Sequence, residues 1–166
     1  MKSITTRHLF LLMFLACMSL LGAAYYFEYV MYLDPCPLCV MQRIAVLLVG
    51  LVSLSGFIFG LEGIKQKVHA ALLFVTASFG LFVAGRHMWI QSLPADQVPT
   101  CGPSLEYMVD TLPWAEVLTV MLRGNGNCAE TQWSFIGLSM PAWVLVWFVG
   151  FMLISITLFF MASKKR

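Results

Sequence analysis

Five cysteines occur in the 166 residues, and four of them lie in stretches that connect long apolar segments. They come as two pairs, Cys36-Pro37-Leu38-Cys39 and Cys101 with Cys128. A C-x-x-C pair suits reversible disulfide chemistry, because one sulfur can displace the other from a mixed disulfide with little backbone movement. A second pair gives the electrons somewhere to come from. Two dithiol pairs beside a bilayer therefore suggest a relay from a soluble thiol protein into the membrane. Two inert disulfides stapling the loops are the plainer reading, more apt for Cys101 with Cys128 than for Cys36 with Cys39, whose short loop removes little chain entropy. A four-cysteine zinc site would normally show two close C-x-x-C knuckles. Cys101 and Cys128 are 27 positions apart, so no bound metal is expected.

Arg43 falls four residues after Cys39, so on a helix the two side chains share a face. A guanidinium one turn from a thiol favours the thiolate, and the positive end of the helix dipole acts in the same direction. Simple snorkelling of an arginine to the membrane interface remains the alternative.

The elements that must position these residues are membrane helices. Sixty per cent of the chain is hydrophobic and 11 per cent charged, against roughly a quarter charged in a soluble domain. Basic residues form no nucleic-acid-binding face. Four segments, near 9–27, 40–59, 68–85 and 142–162, are each long enough for the roughly 20 residues that a helix needs to cross hydrocarbon. The expected fold is an all-α bundle of four transmembrane helices, a single integral domain over 1–166. Its loops, about 29–37 and 87–140, lie on one side, and the second contains a short amphipathic helix at the interface.

Lys2, Arg7, Lys65, Lys67, Lys164, Lys165 and Arg166 all fall on the other side, which the positive-inside rule makes cytoplasmic, with both termini. Trp89, Trp114, Trp133, Trp143 and Trp147 read as an interfacial belt. The apolar run Met18 to Phe27 continues past Cys17, which argues for a retained helix over a cleaved lipoprotein signal and makes Cys17 a small buried packing residue. In the second loop Pro94, Pro99 and Pro103 punctuate the approach to Cys101. Gly124-Asn125-Gly126-Asn127 should leave Cys128 mobile enough to swing toward Cys36. Leu105, Met108, Val109 and Leu112 follow helical spacing, which marks the amphipathic segment.

Cys36-x-x-Cys39-x-x-x-Arg43, the proline-rich approach to Cys101, the run from Cys128 through Trp133 to Leu138, and Met140-Pro141-Ala142-Trp143 together resemble DsbB. That family comprises bacterial disulfide-bond-forming quinone reductases of the inner membrane. The resemblance implies an enzyme that reoxidises the periplasmic dithiol oxidase DsbA and passes the electrons to ubiquinone, or to menaquinone. Carried onto matching positions, the partner's thiolate attacks a Cys101–Cys128 disulfide and forms a mixed disulfide at Cys101. Cys128 then attacks Cys36, and Cys39 is freed as the thiolate that donates to quinone with Arg43 assisting. His87 lies near a family histidine placed beside the quinone, or is an ordinary interfacial histidine. Glu28 and Gln91 receive no role. Two other readings remain: a specialised paralogue serving a dedicated thiol partner, and a non-enzymatic four-helix scaffold with structural disulfides.

Overall fold

The computed structural model describes residues 2–102 and 105–163, with side chains for 6–102 and 107–163. Pro103 and Lys164, Lys165 and Arg166 lie outside the described residues, as do the side chains of Lys2, Leu105 and Glu106.

Four long helices dominate: α1 (Lys2–Tyr29), α2 (Pro37–Phe59), α3 (Gly63–Gln91) and, after the long loop, a last helix, Met140–Ser163. The parts long and apolar enough to cross a membrane are Thr6–Tyr29, Pro37–Phe59, Gly63–Gln91 and Met140–Ser163. Each extends beyond the expected boundaries, because helical backbone continues past the hydrocarbon wherever its hydrogen bonds are satisfied within the helix. Large apolar side chains such as Leu12, Phe82 and Leu153 point outward, as a bundle dissolved in lipid requires.

Close packing between helices comes from small residues facing aromatic ones. Gly80 receives the ring of Phe148, and a Cβ at Gly80 would fall 2.2 Å from that ring; Gly56 receives Phe10 in the same way. Without a water-driven hydrophobic effect between helices in lipid, such close approach supplies the dispersion energy. Cys17 belongs to this pattern. It is fully buried, and its Cβ would meet a Cβ on Gly50 at 3.2 Å.

Buried polar groups in the spans find partners both within a helix and across to a neighbouring one. Gln66 Nε2 donates to Leu158 O at 2.8 Å, and Ser155 Oγ donates to Met152 O at 2.7 Å. The helices pack in the order α1, α2, α3 and Met140–Ser163, while the two outer members barely touch.

The second loop is more structured than its sequence suggests. It folds into α4 (Leu105–Thr111), α5 (Trp114–Arg123), a 3₁₀ turn (Gly126–Cys128) and a hairpin, β1 (Ser134–Phe135) against β2 (Leu138–Ser139), before α6 (Met140–Ser163). Thus two short helices replace the one expected. Met108 of α4 and Val117 and Met121 of α5 pack on Leu38 and Ile90, at the loop ends of α2 and α3. The loop is therefore docked on the bundle, and its outer residue Trp114 stays exposed.

Candidate functional site

Cys36 is the N-cap of α2 and Pro37 its first residue. Proline suits that position because it has no N–H to satisfy and its φ is already helical. The turn that follows brings Cys39 N–H to within 3.4 Å of Cys36 Sγ, and the two sulfurs to 2.9 Å. Cys36 thus lies at the positive end of a helix, where negative charge is favoured.

His87 reaches the same point from α3. Its Nε2 lies 3.7 Å from Cys36 Sγ and 3.1 Å from the carbonyl of Cys128. Its Nδ1 meets the side-chain amide of Gln42 at 3.1 Å. His87 and Gln42 are both almost fully buried. The ligand atoms of Cys36, His87 and Cys128 all lie within 4.8 Å of one another.

Cys128 arrives through the 3₁₀ turn and is completely buried. The expected looseness of the glycine-rich stretch before it is not what the packing shows. Gly124, at φ 74°, has no room for a Cβ, which would fall 2.7 Å from Leu38 and 2.8 Å from Ile90. The glycine lets the chain descend onto the ends of α2 and α3, a use for close approach as much as for freedom. No swing is needed to bring Cys128 to Cys36.

The electrostatics of this contact separate the two thiols. Hydrogen bonding to Cys128, and then to Cys39, keeps the proton on Cys36 and raises its ionisation well above the usual thiol range, with burial acting in the same sense. Cys128 receives the complementary effect. Its bond with Cys36, opposed by burial and helped by backbone contacts with Leu38 and Asn125, lowers it to about 6.

Cys101 stands apart and exposed. It is nevertheless held near the buried turn, since Gly126 N–H donates to Thr100 O at 3.2 Å. A Cβ on Gly126 would fall 3.1 Å from Cys101 Sγ.

On the other side of Cys39 an apolar cleft opens between α1, α2 and α6. Leu20, Phe27, Val46 and Val144 contribute to its walls, and Cys39, Gln42, Arg43 and Gln132 to its polar end. It shares Leu20, Ala24, Phe27, Met140 and Val144 with a second hollow, which Trp143 and Trp147 also line. The two adjoin along one path, the thin seam between α1 and α6.

The hairpin covers this path. Trp133 packs on Phe27 with ring centroids 5.0 Å apart and stacks on Phe135, while Trp143 Nε1–H donates to Phe135 O at 3.1 Å. Gln132 Nε2 donates to Asp34 O at 3.2 Å, and Ser139 Oγ donates to Gln91 Oε1 at 2.9 Å. These bonds tie the second loop to the first and to α3.

Arg43 lines the cleft with Cys39, but its guanidinium is held from the α1 side. It pairs with Glu28, donates to Ala24 O at 3.2 Å and stands 5.3 Å from the centre of the Tyr25 ring. The imidazole near the sulfurs is that of His87. Of the residues singled out in the sequence, Cys36, Cys39, Cys128 and His87 are brought together, Arg43 lines the cleft with Cys39 but turns to α1, and Cys101 remains outside. Glu28 received no role from the sequence, and Gln42 and Gln132 were not singled out. The signal was there for two of them: an acid closing an apolar span, and an amide inside one, each call for a partner.

Comparison with known proteins agrees with this chemistry. Residues 6–158 match the family described as disulfide bond formation protein DsbB. The chain is 52% identical over 160 residues to disulfide bond formation protein B of Marinobacter nauticus, covering 96% of this chain and 94% of that one. It is 52% identical over 148 residues to the Hahella chejuensis protein of the same name, covering 89% and 90%. It is 44% identical over 154 residues to disulfide bond formation protein B 1 of Pseudomonas aeruginosa, covering 92% and 94%. A four-helix membrane bundle with two cysteine pairs gathered at one end, matched over nearly its whole length, belongs to the DsbB family of disulfide bond formation proteins.

Proposed function

We propose that this protein is a thiol:quinone oxidoreductase of the bacterial inner membrane, with its termini in the cytoplasm, that reoxidises a periplasmic DsbA-type thiol oxidase and delivers the electrons to ubiquinone or menaquinone. The observation that carries the reading is the position of Cys39. Its sulfur lies 2.9 Å from that of Cys36, which clusters with Cys128 and His87, and Cys39 also lines an apolar cleft between the long apolar helices. That arrangement supports a thiol relay that delivers its electrons to a lipid-soluble acceptor.

The cleft fits a quinone on chemical grounds. Apolar walls suit a ring and its hydrocarbon tail, and Arg43, Gln42 and Gln132 supply donors suited to its carbonyl oxygens. A bound quinone supplies a sink for two electrons and two protons. The chain's own groups do the rest.

Exposed Cys101 receives the partner's thiolate, so the Cys101–Cys128 bond breaks and Cys128 leaves as a thiolate. Cys128 then attacks Cys36 of the Cys36–Cys39 disulfide, and Cys39 leaves carrying the electron pair. The partner's second thiol resolves the adduct at Cys101 and departs oxidised. Cys101, released as a thiolate, then displaces Cys36 from Cys128, which restores the loop disulfide and leaves Cys36 and Cys39 as the reduced pair. The pair becomes a disulfide again as its two electrons pass to the acceptor. Because a DsbA-type partner sits near about −120 mV, already strongly oxidising, the acceptor must supply the drive.

The experiment is direct. Purified protein is mixed with a reduced DsbA-type protein and ubiquinone, and quinone absorbance is followed. Catalytic loss of the quinone band with oxidation of the partner is expected. A protein whose cysteines remain oxidised and whose quinone is untouched would be a scaffold.

A further inference from the structure

The sulfurs of Cys36 and Cys128 and the imidazole of His87 form a compact soft-donor set at the head of the bundle. Zinc–sulfur bonds of about 2.3 Å and zinc–nitrogen bonds of about 2.0 Å at tetrahedral angles put sulfur and nitrogen roughly 3.5 Å apart. Cys36 Sγ and His87 Nε2 are 3.7 Å apart.

A second feature is independent of the sulfurs. Gln42, itself buried, places its side-chain amide 3.1 Å from Nδ1, the ring nitrogen that a metal at Nε2 would leave to be oriented. Metal-bound histidines use such an outer partner, and an amide can offer its oxygen to Nδ1–H by rotating. There is also a way in. A narrow cleft lined by Cys36, Cys39, His87, Asn127 and Glu130 leads to the cluster, with the exposed carboxylate of Glu130 among them.

We propose that the reduced protein binds one thiophilic divalent cation, of the Zn²⁺ class, through Cys36, Cys128 and His87, with Gln42 orienting the imidazole. This is a different set from a four-cysteine site, because exposed Cys101 takes no part. Binding displaces two protons, one from each thiol, and changes no oxidation state. A disulfide at either sulfur removes the site, so the cation and disulfide exchange exclude each other. Metal therefore arrests the enzyme in its reduced form. The inference needs only that the cysteines can be reduced, so a failure to reduce quinone would leave it standing.

The test uses the full-length reduced chain in lipid nanodiscs, titrated with Co²⁺ and then with Zn²⁺. One Co²⁺ per chain with thiolate-to-metal charge-transfer bands is expected, displaced by Zn²⁺ and absent after oxidation with diamide. Cys36→Ser, Cys128→Ser and His87→Gln should each weaken binding at least about a hundredfold, and Gln42→Leu by about tenfold, while Cys101→Ser leaves it unchanged. In case a variant fails to fold, the unmutated chain gives a second reading: Zn²⁺ should protect Cys36 and Cys128 from alkylation and leave Cys101 reactive. Binding that requires Cys101, ignores His87 or protects no buried thiol would overturn the proposal.

Discussion

Gln42 and His87 meet side chain to side chain in the buried head of the bundle, Nε2 to Nδ1 at 3.1 Å. On the other edge of the ring, Nε2 faces the carbonyl oxygen of Cys128, which can only accept. Nε2 therefore carries a proton, and in the neutral ring Nδ1 accepts from the Gln42 amide. This directs an N–H donor at the sulfur cluster.

Replacing Gln42 by leucine removes the partner of Nδ1 and should slow turnover by up to about tenfold, the worth of one net hydrogen bond. Nitrogen-15 NMR of the histidines should show the wild-type ring protonated at Nε2, with a mixture of tautomers in Gln42→Leu. An unchanged His87 spectrum would remove Gln42 from this role.

Cys128 should ionise near pH 6. Because its pKa is lowered, the thiolate persists at neutral pH and is lost only as the pH falls through about 6. Alkylation of reduced Cys128 by a small reagent, followed by peptide mass spectrometry, should then rise through pH 6 and level off above 7. Cys36→Ala removes the largest cause, the hydrogen bond from residue 36, and should move the midpoint upward. A midpoint near the ordinary thiol value of 9.0 in the unmutated protein would contradict the assigned electrostatics.

The exposure difference between the loop cysteines predicts unequal trapping. With Cys128→Ser, a mixed disulfide between Cys101 and a DsbA-type partner should accumulate, since the internal resolving thiol is gone. With Cys101→Ser none should form, because Cys128 is buried. Equal adducts in both variants would reject the order of attack.

Arg43→Met should raise the apparent KM for quinone by about ten- to a hundredfold, the range for a lost bond to a charged donor. Arg43→Lys should be milder, keeping charge but not the planar fork. Glu28→Gln tests the other partner of the ion pair. It frees the guanidinium to move and should weaken apparent quinone affinity without altering cysteine trapping. Normal quinone kinetics in both Arg43→Met and Glu28→Gln would place the pair outside the acceptor site.

Gly80→Val should destabilise the bundle by about 1–3 kcal/mol, a typical cost of overpacking, because a Cβ there overlaps Phe148. Thermal unfolding in detergent would measure it. Phe148→Leu in the same chain should restore part of the loss.

The spans and the Cys36–Cys39 pair were legible in the sequence because both signals are local: apolar length for the helices, and sulfur spacing for the pair. What brings the site together is not local. Gln42 and His87 are 45 residues apart in sequence, and no periodicity pairs an amide on one span with an imidazole on another. The hairpin was hidden for a different reason. Its turn is Ile136-Gly137, with φ of 53° and 75°, whereas readable hairpins carry Asn-Gly or Asp-Gly. A β-branched residue in the left-handed region is unfavourable on its own, so the aromatic packing around Trp133 and Trp143 must hold the turn. Arg43 shows the limit of helical spacing, which placed it near Cys39 but said nothing of Glu28 on a neighbouring helix.

The pinch at Gly126 has one more consequence. With no side chain there, Cys101 lies against the turn that ends in Cys128, and the Gly126–Thr100 backbone bond involves neither sulfur. The two cysteines thus remain close neighbours even with their bond open, at an effective concentration far above that of any free thiol. Much of the entropy of closing the 27-residue separation is already lost in the folded loop. In the proposed cycle, a loop so arranged favours reclosure of the Cys101–Cys128 bond over capture by free thiols in the surrounding medium.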